Sequence, residues 1–495
     1  MALVPIELPA GVYRNGTDLQ SSNRWRDANL VRWVNNTMRP IGGWQQKSQD
    51  AANAKIRGML AWTDNSGDRY VATGTYNKLW VYNVGGDRKD ITPALFTAGQ
   101  EYTTEEFGYG TGFFGDEYYG QPRTEDSTPA QATTWALDNW GQYLVGCTRD
   151  DGKLYEWQLD FTTPTVASVI TNAPTNNESL VVTEERFLFA LGAGGNPRKV
   201  QWCDRENNTL WTPAATNEAG DIELETSGKI MCGVKTEGET LILTTNDAHV
   251  ARYQGPPYVY GFQKVGTSCG IVSQKAFANS DLGVIWMGKK SFFYYSGGQV
   301  NKLPCDVNDY IFSDINTNEY AKCWGVTNGR YGEAWFFYCS NASNEIDRYV
   351  TYNYAEKTWA IGQLDRTSGV DAGSFEQPLW AKASDNHFYE HETGFNYDSV
   401  SPFAESGPLA IGSGDNVTSV TQLIPDERTQ GEVTTTFKTR FYPNDTERSY
   451  GPYTMTNPTD VRFTGRQFRM RVTGSVLGDW RVGIIRLDMV AGGRR

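Results

Sequence analysis

The stretch LGVIWMGKKSFFYYSGG (282–298) decides how this chain reads. It holds two short apolar runs separated by a Gly-Lys-Lys turn. Phe292, Phe293, Tyr294 and Tyr295 follow one another with no polar residue between them. A strand with one wet face would alternate apolar and polar side chains; an unbroken run means that both faces are covered. The same pair recurs along the chain. Its first members are RYVATG (69–74), QYLVGC (142–147), RFLFAL (186–191), ETLILT (239–244), LGVIWM (282–287), EAWFFY (333–338) and PLWAKA (378–383). Their partners are KLWVYN (78–83), KLYEWQ (153–158), KVQWCD (199–204), HVARYQ (249–254), SFFYYS (291–296), RYVTYN (348–353) and HFYEHE (387–392). The turns between them are rich in Gly, Asn and Asp, which tolerate the positive φ of tight hairpins.

The spacing identifies the architecture. From Val71 to Leu144 is 73 residues; the later steps, through Leu188, Leu241, Val284, Trp335 and Leu379, are 44, 53, 43, 51 and 44. Steps near 40–50 residues fit the four-stranded blades of a β-propeller, whose sheets stack on both faces. IRGMLAW (56–62) and Thr358–Ile361 supply weaker strands. The expected fold is all-β: a six- or seven-bladed β-propeller over 51–395, an N-terminal arm over 1–50 and a C-terminal β domain over 396–495.

Composition agrees. Of 495 residues 51 are Gly, 16 Trp and 27 Tyr, and charged residues make up 21%, which excludes disorder and coiled coil. No apolar run reaches the length of a membrane span, and MALVPIELPAG has no secretory pattern. Seven cysteines, widely spaced and without a CxxC pair, read as reduced thiols of a protein made in a cytoplasm. With 45 basic and 58 acidic residues the net charge is −13, which disfavours wrapping nucleic acid.

The flanks carry the interaction signals. The arm interleaves Arg14, Arg24, Arg26, Arg32 and Arg39 with Trp25, Trp33 and Trp44. Such residues anchor interfaces, or they fasten the arm to its own propeller. The insertion at 94–131 contains FGYGTGFFGDEYYG (107–120), which reads as an adaptable contact surface or as disorder. Near the C-terminus QFRMRV alternates, with Phe468, Met470 and Val472 opposite Arg469 and Arg471; RVGIIRLDMV (481–490) reads as its partner strand. Eight arginines against three aspartates over 460–495 suggest an acidic partner, such as a neighbouring copy, or a solvated sheet face.

Catalytic patterns are weak. His387 and His391 on a strand stand about 13 Å apart, too far for one zinc. GAGGNP (192–197) joins two strands, so a hairpin turn fits better than a phosphate cradle. Asp138, Asp247 and Asp347 form no isolated pair by spacing. The residues indicate neither an enzyme nor a cofactor nor a metal site.

The order of segments resembles a known family. LPAGVYRNGTDLQSSNRWRDANLVRW (8–33), MRPIGGW (38–44), RFLFA (186–190), NTLWTP (208–213), the 227–255 and 266–299 blocks, and FRMRV with RVGIIRLDM are together similar to the tail hub or nozzle proteins of short-tailed bacteriophages, also called packaged-DNA stabilisation proteins. The likeness spans most of the chain and rests on order; the 94–131 insertion departs from it. It implies a structural protein of the virion tail, assembled in the host cytoplasm as a homohexameric ring below the portal and adaptor. Such a ring continues the DNA channel, retains packaged DNA until ejection and in some members holds fibres or spikes. DNA passes without sequence-specific binding, and an acidic lumen lets it slide. On this reading Arg14, Arg24, Trp25, Arg26 and Trp33 make arm contacts, and Arg469, Arg471 and Arg486 face a partner. Phe107, Tyr109, Phe113, Phe114, Tyr118 and Tyr119 line a gate or touch a fibre. The alternative is a propeller-type tail protein that binds or cleaves glycans.

Overall fold

Each repeat folds as one antiparallel four-stranded sheet. The computed structural model describes residues 2–104, 130–160, 166–410, 416–428, 431–443, 445–474 and 477–493. In blade 1, Met59–Thr63, Arg69–Gly74, Leu79–Asn83 and Arg88–Asp90 pair in sequence order. Blades 2 to 6 repeat this, starting from Trp135–Trp140, Ser179–Val182, Ile230–Thr236, Phe277–Ser280 and Trp324–Asn328. Blade 7 has only three strands from its own repeat: Arg366–Val370, Leu379–Lys382 and Phe388–His391. Its fourth is Trp44–Gln46, which pairs with Phe388–His391 so that Trp44 faces His391. The molecule is a seven-bladed β-propeller closed by its own N-terminal segment.

The seven apolar runs that open each repeat pair are the second strands of the seven blades. Two-sided burial explains their lack of alternation: every residue of Glu333–Tyr338 and of Leu188–Leu191 is buried. Aromatic rings bridge neighbouring blades. Phe292 meets Phe336 at 5.2 Å, Trp335 meets Trp380 at 5.2 Å, Phe189 meets Tyr260 at 4.8 Å and Tyr82 meets Phe388 at 5.0 Å. Centroid spacings of 4.5–7 Å are the range in which such pairs add to plain burial. The hairpin turns take the expected positive φ, +65° at Gly152 and +61° at Asn386.

The N-terminal fifty residues form no separate arm. Ala2–Ile6 joins Ile485–Ala491, Thr418–Ile424 and Thr459–Gly465 in one sheet. Trp25–Asn29 joins Phe403–Ser406, Gln467–Gly474, Val433–Arg440 and Arg448–Thr454 in a second. The two sheets enclose a core with Phe437 and Phe463 stacked at 4.5 Å and with Met470, Val472 and Leu487 buried. The C-terminal domain is therefore a sandwich that both ends of the chain build. This corrects one expected pairing, because Gln467–Gly474 and Ile485–Ala491 lie in different sheets.

The sandwich rests on the rim of blade 6. Val12 N–H donates to the Trp359 carbonyl at 2.7 Å, Gln363 N–H to Asn29 Oδ1 at 2.9 Å, and Leu30 N–H to the Tyr349 hydroxyl at 2.9 Å. Between the sandwich strand and the closing strand, Val31–Val34 and Thr37–Pro40 form a hairpin. Its Arg32 is 4% exposed and reaches Glu333 of blade 6 at 2.9 Å and Glu392, just past blade 7, at 2.5 Å. The ring of Tyr331 covers the guanidinium at 3.7 Å.

Candidate functional site

Burial sorts the expected interface residues. Trp25 and Trp33 are 6% and 3% exposed, with rings 6.1 Å apart, and belong to the chain's own core. They are removed from the set of partner contacts, because an indole buried in its own chain has no surface left to offer. Arg14 pairs with Asp27 at 3.2 Å and lies over Tyr310 at 3.9 Å. Arg26 reaches Asp18 at 3.1 Å. Arg14 thus fastens the N-terminal segment to its own fold through Tyr310, whereas Arg26 ties that segment to itself. Arg24 keeps 45% of its side chain exposed, and its nearest carboxylate, on Asp306, is 3.9 Å away.

The sandwich arginines divide in the same way. Arg469 donates to Asp18 at 2.7 Å and reaches Glu447 at 3.1 Å; Arg440 donates to Asp18 at 2.6 Å. Burial alone would raise the Asp18 pKa. The Arg440 hydrogen bond and the charges of Arg469 and Arg26 win, holding it below the ordinary aspartate value. Arg471 stands on Phe403 at 3.5 Å with Glu405 at 3.3 Å. Arg486 is exposed and makes no ion pair among the described residues. It lies opposite Pro5 on the edge strand, and Leu3 and Val490, both exposed, share its outward face. Phe107, Tyr109, Phe113, Phe114, Tyr118 and Tyr119 lie outside the described residues.

The propeller axis carries a second cluster, which sequence reading missed. The first strands of blades 1, 5, 6 and 7 surround a cavity of about 140 Å³, with Arg57, Lys275 and Lys322 at its wall. Each cation sits two residues ahead of its strand: Arg57 before Met59, Lys275 before Phe277 and Lys322 before Trp324. Arg57 donates to Glu345 at 2.7 and 3.1 Å and to the Glu101 carbonyl at 3.2 Å. Lys322 pairs with Glu319 at 2.7 Å, and the Thr103 hydroxyl also donates to Glu319 at 2.7 Å. Thr104 and Ala130 bridge each other nearby. The described ends of the insertion thus stand at the axial mouth. A shared offset within the repeat was the available signal, but each cation stands in the link ahead of its strand, outside the apolar runs that mark the repeat.

Buried polar groups elsewhere serve the fold. Arg366 donates to His391 Nε2 at 2.9 Å, and that ring lies 4.1 Å from Trp380. Burial pushes His391 well below its usual range and pulls Arg366 down to about 10. His387 contacts Ser48 Oγ at 2.9 Å. The cysteines are free thiols; six are buried, and Cys305 is half-buried. Among the described residues no three His, Cys, Asp or Glu side chains converge as metal ligands.

The chain matches no family model and no curated protein. Solved structures resemble it at low identity. Virginiamycin B lyase from Staphylococcus aureus is 7% identical, with a TM-score of 0.43 over 70% of this chain and 98% of the other. A fungal alcohol oxidase of the AA5 family in complex with copper is 12% identical, with a TM-score of 0.41 over 87% and 92%. The Pan2 WD40 domain of Neurospora crassa is 9% identical, with a TM-score of 0.38 over 70% and 95%. These are likenesses of fold and bring no chemistry with them.

Proposed function

We propose that the chain is the subunit of a homohexameric tail hub or nozzle ring of a short-tailed bacteriophage. The ring docks below the portal and adaptor, continues the DNA channel and retains packaged DNA until ejection. One observation carries the reading. The sandwich built from both termini ends in an edge strand, Ala2–Ile6, whose sheet turns Leu3, Pro5, Arg486 and Val490 outward together. Exposed apolar side chains beside an arginine without an ion pair among the described residues, with Asp488 tucked between Arg486 and Val490, suit a neighbouring subunit at this sheet edge. The buried Arg32 ion triad supports the same role, since it ties sandwich and propeller into one brace that passes load between ring contacts. The net charge of −13 suits a wall along which DNA slides.

Native mass measurement of the purified chain, alone and with an adaptor ring, is the direct test, followed by imaging of assembled particles. A closed ring of six copies, alone or on the adaptor, is expected. Arg486→Glu combined with Leu3→Asp should abolish the ring and leave the monomer folded. A chain that stays monomeric on the adaptor and binds or cleaves polysaccharide refutes the proposal and favours the glycan-directed alternative.

A further inference from the structure

Three residues that line the axial cavity carry hydrogen-bond donors with nothing described to receive them. Arg57 is 4% exposed; its two terminal nitrogens are used by Glu345 and the Glu101 carbonyl, yet its Nε–H has no partner. Thr367, 3% exposed, has a hydroxyl with no partner. Lys275 makes no ion pair or hydrogen bond through Nζ among the described residues, and all three line the same cavity. The charge count points the same way. Glu345 is committed to Arg57 and Glu319 to Lys322, so among the described residues Lys275 is the cavity cation without an ion pair.

A folded protein rarely leaves buried donors unsatisfied, because each has given up water without gaining a partner. Water could serve one or two of them, but water does not balance the charge of the half-buried Lys275 ammonium. Desolvation by the surrounding protein pushes the Lys275 pKa down, and the charges of Cys232 and Asp138 only partly offset it. The cavity of about 140 Å³ has the volume of roughly four or five waters at about 30 Å³ each. A carboxylate or a tetrahedral oxyanion fits.

We propose that the mouth of the propeller axis is a binding site for one small oxyanion, held by the Lys275 ammonium, the Arg57 Nε–H and the Thr367 hydroxyl. The site belongs to the propeller itself and stands apart from the ring interface, so it survives if the tail-hub reading fails. Each ligating side chain comes from a different blade: Arg57 precedes blade 1, Lys275 precedes blade 5 and Thr367 lies in the first strand of blade 7. A bound anion would therefore pin three blades around the axis.

The test is calorimetric titration of the full chain with inorganic phosphate, and separately with acetate and chloride, at constant ionic strength. Saturable 1:1 binding of phosphate or acetate is expected, with chloride at least tenfold weaker. Lys275→Gln should weaken phosphate binding at least tenfold and Thr367→Val severalfold. Lys302→Gln, an exposed lysine of the same blade, should leave it unchanged. Lys275→Gln should melt no lower than the parent without phosphate, because it removes a charge that no described ion pair holds, and phosphate should raise the melting temperature of the parent alone. Absence of saturable oxyanion binding, equal affinity for chloride, or parental affinity in Lys275→Gln overturns the proposal.

Discussion

Arg32→Met isolates the device that joins the two halves of the molecule. In the parent, Arg32 donates from Nε and Nη2 to both oxygens of Glu333 at 2.9 Å and from Nη1 and Nη2 to Glu392 at 2.9 and 2.5 Å. All three side chains are 4% exposed or less. Methionine keeps most of the volume and removes the charge, leaving two carboxyls buried without a cation. Breaking a buried pair by removing one partner costs about 3–5 kcal/mol. Unfolding entropy of about 2.1 cal/mol/K per residue, taken over the roughly 330 residues from Met59 to His391, gives about 0.7 kcal/mol/K. The melting temperature should then fall by about 4–7 °C at pH 7, read by near-ultraviolet circular dichroism, if the propeller melts as one unit.

The pH dependence gives the prediction a second edge. In the parent, burial raises the Glu392 carboxyl, but the charge and hydrogen bond of Arg32 overcome it and hold the pKa below the ordinary 4.5. That stability is present above pH 4.5 and is lost as the pH falls through the folded value. Burial already lifts Glu333 above 4.5 against the pull of Arg32. Without Arg32 both carboxyls should titrate above 4.5, and their cost should vanish once the pH drops below the unfolded value. The gap between parent and variant should therefore narrow from pH 7 to pH 4. Adding Glu333→Gln and Glu392→Gln to Arg32→Met should recover more than half of the loss. A gap that is the same at both pH values, or a shift under 1 °C, would refute the reasoning.

Two other expectations rest on single side chains. Asp247 is 5% exposed and accepts from Thr226 at 2.7 Å and Thr244 at 2.6 Å, with Lys264 at 2.9 Å. Burial opposes its ionisation, but these partners hold its pKa below 3.8, so its stabilisation persists above that value and is lost as the pH falls below it. Asp247→Asn should cost about 1.5–3 kcal/mol at pH 7 in a denaturant titration and less at pH 3. The six buried thiols should be inert in the native state, since burial pushes the Cys203 and Cys323 pKa values up to about 12 and raises the others too. Reaction with a thiol reagent at pH 8 should reach only Cys305 before unfolding; rapid labelling of two or more would contradict the packing.

Much of the propeller was legible because its message is local. A second strand such as Glu333–Tyr338 is buried on both faces, so bulky residues occupy consecutive positions, and the repeat spacing marks four-stranded blades while leaving their number at six or seven. The Arg469 and Arg471 face opposite Phe468, Met470 and Val472 was legible for the same reason, since alternation records which side is dry. The closing strand was not. Trp44–Gln46 is three residues long, two of them exposed glutamines, and its partner lies more than three hundred residues away. Nothing in WQQ distinguishes an outer strand from a loop.

The chain's own residues determined that the interior is stacked β-sheet, that blades repeat near 40–50 residues, and that alternating strands end the molecule. Tertiary structure alone decided the partners. It put Ala2–Ile6 and Trp25–Asn29 into sheets completed at the far end of the chain, and it turned Trp25 and Trp33 inward. It also gathered Arg57, Lys275 and Thr367 around one axis. The physical reason is the range of the signal. Side-chain pattern reports whether a face is covered, whereas what covers it depends on the closure of a ring, and closure brings together residues that share no local sequence.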